Sequence, residues 1–183
     1  MDVNNNLAQG LTRLGFTLIE LLVGITIMLS MIAVGWTSYA RYNDRQQLVA
    51  SGKSVVNELR LLQKRASSGD KPSICDSVGP LNGYVWELTD TDFTEMQMLV
   101  RCGGEDQNEL AETYSLPTGT RFDDDAQEIP RRILFTILGR GAEFDLGGSS
   151  VTLNLEHDAI VNKQYRIVIY ASGEIQDVGL VDQ

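Results

Sequence analysis

The chain has 183 residues, of which 43% are hydrophobic and four are proline, and its net charge is -10. Length leaves room for one compact domain of about 100 to 150 residues plus one further segment and argues against a second independent domain. The composition argues against a disordered chain. Charge is unevenly spread: Gly69 to the end carries 8 Lys or Arg against 21 Asp or Glu, whereas Phe16 to Ser68 carries 6 against 3. So acidic a C-terminal part repels phosphate backbones, because nucleic-acid affinity comes largely from cations that displace counterions, and no nucleic-acid partner is expected.

In chain order, a polar stretch with a single cation, Arg13, precedes an apolar run from Phe16 to Trp36 broken by one charge, Glu20. As a helix these 21 residues reach about 31 Å, the thickness of a bilayer core, and a transmembrane helix over 16–36 is expected. A secretory signal peptide is the alternative, with Ser38-Tyr39-Ala40 as a loose cleavage site, but its apolar region is shorter, roughly 7 to 15 residues, and carries no carboxylate. A carboxylate near one end of a membrane helix costs a few kcal/mol or more, so Glu20 needs a partner and a task.

Residues Leu14-Gly15-Phe16-Thr17-Leu18-Ile19-Glu20-Leu21-Leu22-Val23 resemble the class III leader junction of type IV pilins and type II secretion pseudopilins. The resemblance implies a leader over 1–15, cleavage by a prepilin peptidase between Gly15 and Phe16, N-methylation of Phe16, and a role for Glu20 in assembly. Glycine before the scissile bond offers no side chain to obstruct extended backbone in the protease. The amine freed on Phe16 and the Glu20 of a neighbouring subunit can neutralise each other in an apolar medium, which would set axial register. The leader has fewer cations than is usual in the family, though Arg13 sits on the cytoplasmic side expected for it.

Beyond the run, no proline occurs before Pro72, and Leu48, Gly52, Val55, Leu59, Leu62 and Ala66 recur at steps of four and three. This one-sided stripe predicts an amphipathic continuation of the helix over 37–68, turned towards a sheet. Gly69, with Asp70 and Pro72 behind it, stops the helix. Arg41, Arg45, Lys53, Arg60, Lys64 and Arg65 fall largely beside or opposite the stripe and read as a solvated face.

From 69 to 183 the pattern changes to short alternating runs separated by Gly, Asp and Asn. Strands are expected over Gly83–Leu88, Met96–Cys102, Glu112–Leu116, Arg132–Leu138, Ser150–Leu155, Tyr165–Tyr170 and Glu174–Val178. The fold class is therefore α+β, a long N-terminal transmembrane α-helix packed on an antiparallel β-sheet head. The series Arg166-Ile167-Val168-Ile169-Tyr170-Ala171-Ser172-Gly173-Glu174-Ile175, preceded by Arg132-Ile133-Leu134-Phe135 leading to Gly139-Arg140, resembles the head of the GspH/FimT family of minor pseudopilins and minor pilins. DNA-uptake members of that group carry a basic Gly-Arg-x-Arg near the C-terminus. Here Gly173-Glu174-Ile175-Gln176 puts a carboxylate where DNA would need a cation.

Cys75 and Cys102 both follow the apolar run, on the side expected to lie outside the cytoplasm. An even count in an oxidising compartment favours one disulfide, worth about 3 kcal/mol for a loop of this size, with two reduced buried thiols as the alternative. No catalytic group, metal site or cofactor is expected. His157, the one histidine, with Asp158 beside it, reads as a loop polar residue, since neighbours in a strand point to opposite faces. Asp123-Asp124-Asp125 and the pair Asp90 and Asp92 lack the spacing of a calcium loop and read as solvated turns.

Together these readings lead to a single-pass protein of the bacterial inner membrane, its head outside the cytoplasm. The resemblance implies a minor pseudopilin of a type II secretion pseudopilus, with a type IV pilus minor pilin as the alternative. Its expected partners are the prepilin peptidase, other pilins or pseudopilins in a filament, the inner-membrane assembly platform and the membrane itself.

Overall fold

The computed structural model describes residues 17–123 and 131–183, without the side chains of residues 33–35, 37 and 108–111. The chain divides between Ala40 and Arg41 into two compact units. One helix, α1, runs over Leu18–Ser68. With no proline in its way, the backbone ladder continues until Gly69, whose φ of 66° turns it left-handed. Gly69 N–H then donates to Ala66 O at 3.1 Å and Asp70 N–H to Arg65 O at 3.2 Å. This pair of bonds is a Schellman end, which satisfies carbonyls that the helix terminus would otherwise leave orphaned. The stop falls where the sequence placed it.

A short helix, α2 (Cys75–Val78), leads, among the described residues, into nine strands: β1 (Leu81–Leu88), β2 (Glu95–Cys102), β3 (Glu105–Ser115), β4 (Thr120–Phe122), β5 (Arg132–Thr136), β6 (Ala142–Phe144), β7 (Ser150–His157), β8 (Lys163–Tyr170) and β9 (Ile175–Asp182). The head has two antiparallel sheets where the sequence reading implied one: five strands in the order β3-β2-β1-β5-β6, and four in the order β4-β7-β8-β9. Alternation names the residues that share a face, but says nothing of which sheet they join. Two further expectations need correcting. The third strand begins at Glu105 rather than Glu112, drawn out through a polar stretch by pairing with β2. The fourth expected strand stops at Thr136, because Leu138 turns to φ 60° in a 3-10 turn over Ile137–Gly139.

One hydrophobic core joins all three layers. From α1 come Leu48, Val55, Val56, Leu59, Leu62 and Ala66; the five-stranded sheet adds Tyr84, Trp86, Met96, Ile133 and Phe135; the four-stranded sheet adds Phe122, Leu153, Leu155, Tyr165, Ile167 and Ile169. Trp86 and Phe122 meet edge to face across the sheets, their centroids 5.7 Å apart. Gly52 completes the helix stripe for a reason of space, since a Cβ there would overlap the ring of Tyr165. Two tyrosines fasten polar ends of this core: Tyr84 Oη donates to Asp70 O at 2.7 Å and Tyr165 Oη to Asp177 Oδ1 at 2.5 Å. Burial, and then the acid beside each of them, raises both phenol pKa values.

Candidate functional site

The N-terminal end of α1 carries the residues that the sequence singled out. Gly15 and Phe16 lie outside the described residues. Glu20 is exposed in the first helical turn. Thr17 precedes that turn as its N-cap: its Oγ1 accepts from Glu20 N–H at 3.3 Å, and its carbonyl accepts from Leu21 N–H at 3.2 Å. Thr17-x-x-Glu20 is the four-residue signature of a capping box, and an acid here also suits the positive end of the helix dipole. Sequence reasoning passed over this local role, although its signal was present.

The described side chains of the apolar run that follows are all exposed. Leu18 is 80% exposed, Ile25 49%, Met31 72% and Trp36 73%, and Ile19, Leu21, Leu22, Val23, Ile27, Met28, Leu29 and Ile32 are exposed as well. Successive residues step by about 100° around a helix, so this sequence leaves no polar face. The two hydroxyls within it turn inward: Thr26 Oγ1 donates to Val23 O and Ser30 Oγ to Thr26 O, each at 2.8 Å. Their polarity is thereby used up on the helix's own carbonyls. Among the described residues no helix is long and apolar enough to cross a membrane. The expected span 16–36 includes Phe16 and the side chains of 33–35, which fall outside them.

In the head, Cys75 at the start of α2 and Cys102 at the end of β2 form a disulfide with Cα atoms 5.3 Å apart. The expected bond is present, and it ties the segment after α1 to the β1–β2 hairpin. The Ser172-Gly173 turn is clamped rather than free. Gln63 Nε2 of α1 donates to Gly173 O at 2.6 Å, and Ala142 N–H donates to Ala171 O at 2.9 Å. Glu174 stands exposed just beyond it.

His157 requires a correction. It is no loop residue but the last residue of β7, 7% exposed, with Nδ1 accepting from Ala159 N–H at 3.2 Å. Strand β7 runs two residues past its expected end, which carries the ring inside. Asp158 does not pair with it and instead accepts from Arg121 Nη1 at 2.9 Å.

Asp124 and Asp125 lie outside the described residues. Asp90 is engaged structurally: its carboxylate accepts from Thr94 N–H at 3.0 Å, Thr94 Oγ1 at 2.6 Å and Glu95 N–H at 3.0 Å, closing the β1–β2 loop. Burial alone would raise the Asp90 pKa, but the Thr94 hydroxyl and the two amides outweigh it and lower the value. A lowered acid stabilises the fold above its unfolded pKa, about 3.9, and that contribution fades as pH falls through the folded value. Asp90→Ala should therefore cost about 1 to 2 kcal/mol at neutral pH. Denaturation curves of the variant and the parent should converge as pH falls below the unfolded carboxylate range and through the lowered folded value, and a gap that stays constant into acid would refute this.

No family model and no curated protein matches the chain. Among solved structures it is similar to the type IV minor pilin FimU of Pseudomonas aeruginosa, at 13% identity and a TM-score of 0.51, over 74% of this chain and 91% of that one. The likeness is one of fold: a pilin-like helix packed on an antiparallel head.

Proposed function

We propose that this chain is a structural subunit of a type IV pilin-like filament, made as a prepilin and held in the inner membrane by the apolar part of α1, with its head outside the cytoplasm. The observation that carries the reading is the predominantly apolar start of α1, its described side chains exposed and a single carboxylate in its first turn, on a chain whose fold is pilin-like. So much exposed apolar surface needs lipid or other helices around it.

On this reading the prepilin peptidase cuts between Gly15 and Phe16, Phe16 is N-methylated, and Glu20 of one subunit meets the amine of the next. The disulfide fits an oxidising compartment outside the cytoplasm. The chain has no catalytic role in this scheme. The platform and fellow subunits are its partners. The machine is either a type II secretion pseudopilus, in which the chain is a minor pseudopilin, or a type IV pilus.

Mass spectrometry of the protein isolated from its host should find an N-terminus at methylated Phe16, and a chain starting at Met1 would overturn the proposal. Glu20→Ala should still insert and be cleaved, yet enter filaments at least about tenfold less well, as expected when an apolar-phase amine loses its counter-charge. Incorporation at the parent's level would remove Glu20 from the mechanism. Deletion of the gene separates the machines, through loss of secreted proteins in one case and of surface pili in the other.

A further inference from the structure

A cleft of about 360 Å³ opens where the β1–β2 loop meets β4 and the turn after β7, lined by Thr91, Asp92, Phe93, Thr120, Arg121 and Asp158 among others. Two features set it apart from an ordinary acidic surface. Thr120 is 1% exposed, and its hydroxyl has no hydrogen-bond partner among the described residues. Such a group loses water without compensation, at a cost of about 1 to 3 kcal/mol, and a donor entering the cleft would recover it. Charge is the other. Asp90, Asp92, Glu156 and Asp158 stand in this corner against Arg121 and Arg131.

The cations there are already committed. Arg121 holds Glu156 at 2.6 Å and Asp158 at 2.9 Å, and the Arg131 guanidinium rests 5.6 Å from the centroid of the Phe93 ring. Asp90 is bound by Thr94 and Glu95, which leaves the exposed Asp92 as the one of the four carboxylates with no partner among the described residues. The missing ligand is then a cation with N–H donors and an apolar stem, which describes a lysine or arginine side chain.

The chain itself displays such groups. Lys53, Arg60 and Lys64 are spaced by seven and four residues on α1, so they form one row within about 40° of the helix face. All three are exposed, and none makes an ion pair among the described residues. The segment from Phe16 to Ser68 is net positive, whereas everything from Gly69 on is net -13.

We propose that the Asp92–Thr120 cleft receives a basic side chain from the Lys53–Arg60–Lys64 row of a second copy of the chain. Asp92 supplies the charge and the Thr120 hydroxyl accepts a hydrogen bond. The inference requires two copies to meet but no cleavage at Gly15, so it can fail while the filament reading stands, and the mass of the mature N-terminus tests that reading separately.

The test mixes full-length light and heavy isotope forms in mild detergent and adds a carbodiimide, which joins a carboxylate to a lysine amine with loss of water. The expected product is a mixed-isotope link from Asp92 to Lys53 or Lys64. Its yield should fall about fivefold or more between about 0.05 and about 0.5 M salt, as charges between partly exposed groups are screened. Asp92→Asn, at an exposed position, should abolish the link. Thr120→Val should cut the yield of the link severalfold without lowering the melting temperature, because it removes a hydroxyl that has no partner among the described residues. Links found only within one copy, no link at Asp92, or a yield indifferent to Thr120→Val would overturn the proposal.

Discussion

Trp86→Ala is expected to destabilise the head by about 4 kcal/mol, the usual range for emptying a large aromatic site being about 3 to 5 kcal/mol. The indole is fully buried on the inner face of the five-stranded sheet. Its edge-to-face contact with Phe122 is a direct tie between the two sheets, and its Nε1–H points at Met96 Sδ, 3.3 Å away. Truncation therefore removes core volume and a cross-sheet contact together. For a domain of this size the melting temperature should drop by roughly 10 to 20 °C. Trp86→Phe keeps most of the ring area and should cost less than half as much. A loss below about 1 kcal/mol for the alanine variant would mean that the sheets are not organised around this side chain.

Replacing Cys75 and Cys102 together by alanine should cost about 3.5 kcal/mol in the chain-entropy account, given a separation of 27 residues. The effect acts mainly on the unfolded chain, which regains the freedom of the loop spanning α2, β1 and β2. The folded hairpin has other supports, among them Gly103 N–H donating to Pro80 O at 2.8 Å and the close approach of Gly79 to Gly103. Folding should thus survive, with a lower denaturation midpoint and an unchanged fold by circular dichroism. Reductant should bring the parent down to the double variant and leave the variant where it is. A parent whose midpoint ignores reductant would contradict the assignment.

The long helix was the most legible part of the chain. A proline-free stretch, a four-three stripe and a terminal glycine are local signals, and all six stripe residues are buried. Val56 and Ser51 are buried as well, so the true face is wider than the stripe, because α1 meets a core fed by two sheets. Strands β4 and β6 were invisible, since three residues cannot establish an alternation. Partition of the strands between sheets depends on pairings distant in sequence, such as β1 with β5, which periodicity does not encode. The same limit hid the bridge from Asp106 of β3 to Arg132 of β5.

The candidate site divides in a similar way. Glu20 and the apolar run could be read directly, because they depend on residue type and order. Burial of His157 could not be read, as it follows from how far β7 continues against β4, where Thr120 faces it in register. Nor could the lack of a partner for the Thr120 hydroxyl among the described residues, which depends on how β4 and β7 pack.

The tight seat of Gly52 against Tyr165 bears on how the head would carry load. Sliding α1 by one turn, about 5.4 Å, would present Leu48 or Val56 to the ring, and neither has room where a bare Cβ already overlaps. The notch and the ring work like a key in a slot. A pull on the helix from Arg41 onward is passed to strand β8 at that point, and the sheets must follow or the core must open.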